Sequence, residues 1–200
     1  MAVGPNYRVS FRRRRKGKTD YQARRALVLS HLPRLVIRGT LKHMSAQVIE
    51  AKTIGDIVVA SAHSRELEKG YGWKGSDGNI SAAYLTGLLC GYRAVAAGVK
   101  TSVLDLGLQF PSKGARIFAT LKGFIDAGVS VPFAKDVLPN EKRIRGEHVA
   151  AYAGKLASNP EDYQRKFSVY LSKDLPPEKL PEHFSQVKEK IITSLKESKS

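Results

Sequence analysis

The carboxylates, histidines, glycine-rich loop and single cysteine of this chain are the groups that would carry catalysis or hold a metal if the fold gathered them. Asp56, Asp105 and Asp126 would suit a metal-dependent nuclease if they converged. Their local settings are ordinary, since Asp56 opens an apolar run, Asp105 ends one and Asp126 falls in the last turn of an amphipathic segment. The five histidines, at 31, 43, 63, 148 and 183, are scattered and show none of the paired spacings of zinc sites. The run GYGWKGSDGN (Gly70 to Asn79) precedes a helix but lacks G-x-x-x-x-G-K-[ST], so it reads as a flexible loop or an RNA-backbone contact through Lys74 and its amides. Cys90 lies between Leu89 and Gly91 in an apolar segment and reads as inert core; one cysteine also excludes an internal disulfide. No nucleophile elbow or paired-carboxylate signature emerges, and these residues make no case for an enzyme or for a cofactor or metal.

The basic residues behave differently. FRRRRKGKTDYQARR, Phe11 to Arg25, holds eight basic residues and one acidic one. Arg8, Arg12, Arg13, Arg14, Arg15, Lys16, Lys18, Arg24 and Arg25, less Asp20, give +8 over residues 1–25, half of the chain's net +16. Arginine forks pair with phosphates, and guanidinium planes and aromatic rings such as Phe11 and Tyr21 stack on unpaired bases. A second set surrounds a predicted hairpin: Arg34 and Arg38 share a strand face, Lys42 and His43 occupy the turn, and Gln47 is on the next strand. His43 reads equally as an RNA contact and as an ordinary loop histidine. Lys113 and Arg116 open a helix, where cations and free amides can meet an anion.

An excess of +16 opposes folding by self-repulsion and points to a polyanionic partner, either nucleic acid or anionic membrane. The longest uncharged stretch, Gly78 to Tyr92, is fifteen residues and rich in small polar types, too short and polar to span a bilayer. The basic N-terminus leads into His31, Pro33 and Arg34 rather than a sustained apolar run, so it does not read as a secretory signal. A soluble, intracellular, nucleic-acid-facing protein is expected.

The elements that must position these residues fall into three segments. Residues 1–25 lack apolar periodicity and read as an extended basic arm, ordered when RNA binds. Residues 26–133 read as an α/β core. Ser30–Gly39, Met44–Glu50 and Asp56–Ser61 form an antiparallel three-strand meander, and Ile80 to Gly98 forms a helix capped near Asn79. Ala83, Gly87 and Gly91 on that helix predict close approach to the sheet. Thr101–Leu106 follows as a strand parallel to the third, reached by the helical crossover, and Gly114–Ala127 as a second packed helix. The fold class is therefore α/β with a mixed sheet. Residues 134–200 read as a helical extension, lying on the core or on a partner.

Taken in order, FRRRRKGKTDYQARR, PRLVIRGTLKHMSAQVIE, GDIVVASAHSREL, NISAAYLTGLLCGYRAVAAGVKTSVLDLGL, KGARIFATLKGFIDAGVSVP and RIRGEHVAAYA resemble the universal large-subunit ribosomal protein that binds 5S rRNA, called L-eighteen in bacteria and L-five in eukaryotes. The match spans most of residues 7–153, and RRRRKGKTDY with RIRGEHVAAYA resembles the archaeal and eukaryotic branch. The chain ends before a long eukaryotic tail would, which favours an archaeal type. The resemblance implies a non-catalytic constituent of the cytoplasmic large ribosomal subunit. It would sit in the central protuberance, bind 5S rRNA, help attach it to 23S rRNA and lie close to another 5S-binding protein, without forming a homo-oligomer. It assigns the 5S contacts to the arm and the hairpin face, with Lys113 and Arg116 also facing RNA. Lys74, Arg143 and Arg145 complete the set of expected RNA-binding residues.

Two other readings stand beside it: a free-standing RNA-binding module or RNA chaperone, and a metal-dependent RNA-processing enzyme.

Overall fold

The computed structural model describes residues 4–197, without the side chains of residues 196 and 197. Its helices are α1 (Arg12–Arg15), α2 (Tyr21–Leu29), α3 (Ser64–Tyr71), α4 (Ile80–Ala96), α5 (Arg116–Asp126), α6 (Glu141–Arg145), α7 (Glu147–Leu156), α8 (Pro160–Leu171) and α9 (Leu180–Glu197). The strands are β1 (Arg34–Gly39), β2 (Met44–Ala51), β3 (Asp56–His63) and β4 (Val103–Asp105), in the sheet order β3-β2-β1-β4.

The expected meander forms. Arg34 pairs with Ile49 and Gly39 with Met44, and a turn closed by Thr40 N–H to His43 O at 2.8 Å joins β1 to β2. Alternation sends Leu35, Ile37, Met44, Ala46, Val48, Ala60 and Ala62 to one face, all buried, where α4 covers them. A bulge at Val48/Ile49 leaves Val59 without a partner on β2. Because side chains alternate with period two, the extra residue inverts the faces of the strand before it and turns Asp56 toward the open face of the sheet.

The last strand has the expected direction, parallel to β3. β4 lies against β1, with Val36 opposite Asp105, and not beside β3. A 17-residue helix is about 26 Å long, and three strands span about 10–15 Å, so α4 can carry the chain from one sheet edge to the other.

The small residues of α4 also face a different neighbour. A Cβ at Gly87 would lie 1.9 Å from the Thr120 carbonyl oxygen, and one at Gly123 would lie 2.1 Å from that of Tyr84. Gly91 faces Phe124 and Ala127. These positions seat α5 on α4, backbone against backbone. The sheet side of α4 is filled instead by larger groups such as Cys90, whose thiol points at the Ala46 carbonyl 3.5 Å away.

Beyond residue 133 the core continues. Ile144, Leu175, Leu180, Phe184, Val187 and Ile191 belong to the same buried cluster as the sheet and α4. Of the two placements open for this segment, the structure shows the one on the core. Gly146 divides α6 from α7 with φ +84°, and a Cβ there would meet the Leu180 side chain at 2.7 Å.

Candidate nucleic-acid interface

The arm is folded. Arg12–Arg15 makes one helical turn, Gly17 reverses the chain at φ +58°, and Arg13 Nε donates to Thr19 Oγ1 at 2.8 Å. Phe11 and Tyr21 rings meet at 5.1 Å. Asp20 caps α2, its Oδ1 accepting from the Gln22 and Ala23 amides at 2.9 and 3.2 Å. This cap supplies the start that apolar periodicity did not show, and α2 runs through the boundary expected at residue 25. Arg8, Arg12, Arg14, Arg15, Lys16, Lys18 and Arg25 are exposed and have no side-chain partner among the described residues.

Arg24 is committed. Its Nη2 donates to Asp56 Oδ1 at 2.8 Å, and the other Asp56 oxygen accepts from Arg34 Nη2 at 2.9 Å. Arg34 Nη1 donates to Asp105 Oδ2 at 2.8 Å, and Asp105 Oδ1 accepts from Arg38 Nη2 at 2.9 Å. Arg38 Nη1 also donates to the Ile37 and Asp105 carbonyls, and a Cβ at Gly107 would strike its guanidinium. The result is one alternating row: Arg24, Asp56, Arg34, Asp105, Arg38. The Arg24 hydrogen bond and charge hold the Asp56 carboxyl below its ordinary value, and Asp56 in turn raises Arg24.

The row changes the reading of the sheet face. Arg34 is 3% exposed and serves as an internal tie, so it is closed to RNA in this arrangement. Arg38 is half-open, but its donors already meet carboxylate and carbonyl oxygens. The floor made by Arg34, Arg38, Asp56 and Asp105 is thus charge-balanced, and Gln47 lies half-buried on it. Between this floor and α2 runs a groove of about 990 Å³, walled by Arg13, Lys18, Thr19 and Tyr21.

The remaining expected residues lie elsewhere. Lys42 is exposed at the hairpin turn, whereas His43 is half-buried, with Nδ1 3.3 Å from Ser64 Oγ and 3.4 Å from Asp77. Arg116 Nη1 donates to the Thr40 and Gly78 carbonyls at 3.3 and 2.8 Å, pinning the turn to the loop before α4. Lys113 pairs with Asp136 at 2.6 Å on the surface. Arg143 is exposed without a side-chain partner among the described residues, and Arg145 lies 3.9 Å from Glu141.

The glycine-rich run wraps the buried Trp73 ring, with Gly75 against the indole and Trp73 Nε1 donating to Ser76 O at 3.3 Å. The Lys74 amide donates to His183 Nε2 at 3.0 Å and is not free for a phosphate, although the Lys74 side chain is exposed.

The three aspartates do not form one site. Asp56 and Asp105 are separated by the Arg34 guanidinium, and Asp126 binds Tyr84 Oη and Lys122 Nζ, both at 2.8 Å. Among the described residues no three acids, histidines or cysteines could hold a metal ion, and no helix is long and apolar enough to cross a membrane. Sequence reasoning passed over Asp56 and Asp105 as arginine partners. The available signal was Arg34 itself, beginning the apolar strand RLVIR, because a charge at a buried strand position requires a counter-charge.

The model of the family described as ribosomal large subunit proteins 60S L5, and 50S L18 matches residues 5–102, from the arm through α4 and just beyond. Over 198 residues the chain is 50% identical to the large ribosomal subunit protein uL18 of Staphylothermus marinus, covering 98% of this chain and 98% of that protein. That alignment includes α5 and the C-terminal helices, which the family model leaves out. The chain thus belongs to the large-subunit ribosomal protein family of 60S L5 and 50S L18, in its archaeal uL18 form.

Proposed function

We propose that this ribosomal protein binds 5S rRNA and helps attach it to 23S rRNA in the central protuberance, beside another 5S-binding protein. Its role in the large subunit is structural, with ribosomal RNA and ribosomal proteins as partners. The observation that carries the RNA reading is the partition of charge. The sheet-face arginines are neutralised internally, while seven arm cations reach solvent without an acidic partner among the described residues. Such a set attracts phosphates, and Phe11, 70% exposed beside Tyr21, offers a ring to an unpaired base. Lys42, Lys74 and Arg143, exposed and without a side-chain partner among the described residues, supply secondary contacts, with the half-buried His43 and Gln47 as further candidates.

Competition tests the reading. Labelled 5S rRNA bound to the full chain should resist a large excess of tRNA at moderate salt. Displacement by an equal concentration of tRNA would reduce the function to unspecific polyanion binding.

A further inference from the structure

Helix α2 is poorly anchored by packing. None of its nine residues is buried, Leu29 is 63% exposed, and the space beneath it is an open groove of about 990 Å³. A nine-residue helix is too short to be stable by itself in water. What reaches across to the sheet is Arg24, bonded to Asp56.

Asp56 is suited to that task because it is fixed from below. The β3 bulge turns it to the open face, and Arg34, buried and held by Asp105, grips its second oxygen. We propose that Asp56 is a positioning residue for RNA binding: it latches α2 over the sheet before RNA arrives, so the arm cations are presented as a set. This rests on the reading of the arm as the RNA-gripping element.

Simple electrostatics predicts the opposite sign. Removing a carboxylate from a surface that meets a polyanion should strengthen binding, whereas removing a latch should weaken it. The sign therefore decides between them.

The test uses the full chain with Asp56→Asn, and with Asp136→Asn as the control for loss of one exposed carboxylate. Amide hydrogen exchange is followed in the free protein, and 5S rRNA affinity is measured at one salt concentration. With Asp56→Asn, amides of residues 21–29 should lose protection while those of β1 and β2 keep theirs. The affinity should fall about two- to five-fold, the range expected for an ion pair open to solvent by about a third. Asp136→Asn should leave exchange of 21–29 unchanged and tighten binding slightly.

Arg24→Gln breaks the same link without touching the partners of Arg34, so it decides the exchange result if Asp56→Asn loosens the sheet. Unchanged protection of 21–29 in Arg24→Gln overturns the latch. Lost protection with unchanged or tighter RNA binding by Asp56→Asn overturns the positioning role. The exchange arm contains no RNA, so it stands even if the protein fails to prefer 5S rRNA over tRNA.

Discussion

Replacing Arg12, Arg14, Arg15, Lys16 and Lys18 together by Gln removes five exposed cations that have no side-chain partner among the described residues. Arg13 is kept because it ties Thr19, and Arg24 because it ties Asp56. No residue of α1 is buried, so the core should keep its stability within about 0.5 kcal/mol. Each phosphate neutralised contributes about 0.7 to 0.9 to the slope of log affinity against log salt, so five contribute about 3.5 to 4.5. From 50 to 200 mM salt, the parent protein should therefore lose about 130- to 500-fold more 5S rRNA affinity than the variant. Filter binding at four salt concentrations measures the slope, and thermal unfolding checks the fold. An unchanged slope in a variant of unchanged Tm would show that these cations remain hydrated in the complex.

Gly87→Ala places a methyl group 1.9 Å from the Thr120 oxygen, and only movement of a whole helix relieves that contact. The cost of overpacking, about 1–3 kcal/mol or more, exceeds the helix-propensity gain of about 1 kcal/mol, so the urea midpoint should fall. Asp105→Ala leaves Arg34 with only Asp56 and takes the carboxylate from Arg38, which keeps its two backbone carbonyl acceptors; about 3 kcal/mol should be lost, and unchanged chemical denaturation would contradict the buried tie. Burial, with the nearby Lys190 and Lys74 charges, holds His183 below its ordinary 6.5. The neutral ring that accepts the Lys74 amide is favoured in the fold, so this contribution is complete above pH 6.5 and is lost as pH falls. Trp73, the single tryptophan, stacks on His183 at 5.2 Å, so its fluorescence should report that titration with a midpoint below 6.5. A midpoint at or above 6.5 would contradict the assignment.

The meander and the two core helices were legible because their signals are local: alternation in RLVIRG, a short glycine-containing connection, and helical spacing after Asn79. The place of β4 was not, since parallel pairing depends on where a crossover helix ends, and helix length alone permits either edge. The sheet-facing role given to Gly87 and Gly91 failed for a related reason. A small-residue stripe shows that some backbone comes close, and α5 was as available as the sheet. In the candidate site, the exposed cations of the arm were readable from composition. That Arg34 needs a counter-charge was readable from its strand, but the partners of Arg34 and Arg38 were not, because Asp105 is 71 and 67 positions away and a bulge brings Asp56 to the same face.

The separation of charge from scaffold has a mechanical consequence. Arg116 pins the hairpin turn from the first turn of α5, and α5 is locked to α4 through Gly87 and Gly123. The ring of Phe184 on α9 lies 5.6 Å from that of Tyr84 on α4, which joins the C-terminal helix to the same body. Lys42 and Lys74 therefore ride on a packed frame and would lose little beyond side-chain freedom on meeting a phosphate. The arm cations lie on or beside α1 and α2, neither of which holds a buried residue, so ordering them on RNA would cost backbone freedom unless an internal contact has already restricted it. A charge-balanced sheet face suits that arrangement. An uncompensated Arg34 and Arg38 would repel Arg24 and push α2 off the sheet, whereas the two aspartates turn the same arginines into the footing on which the arm rests.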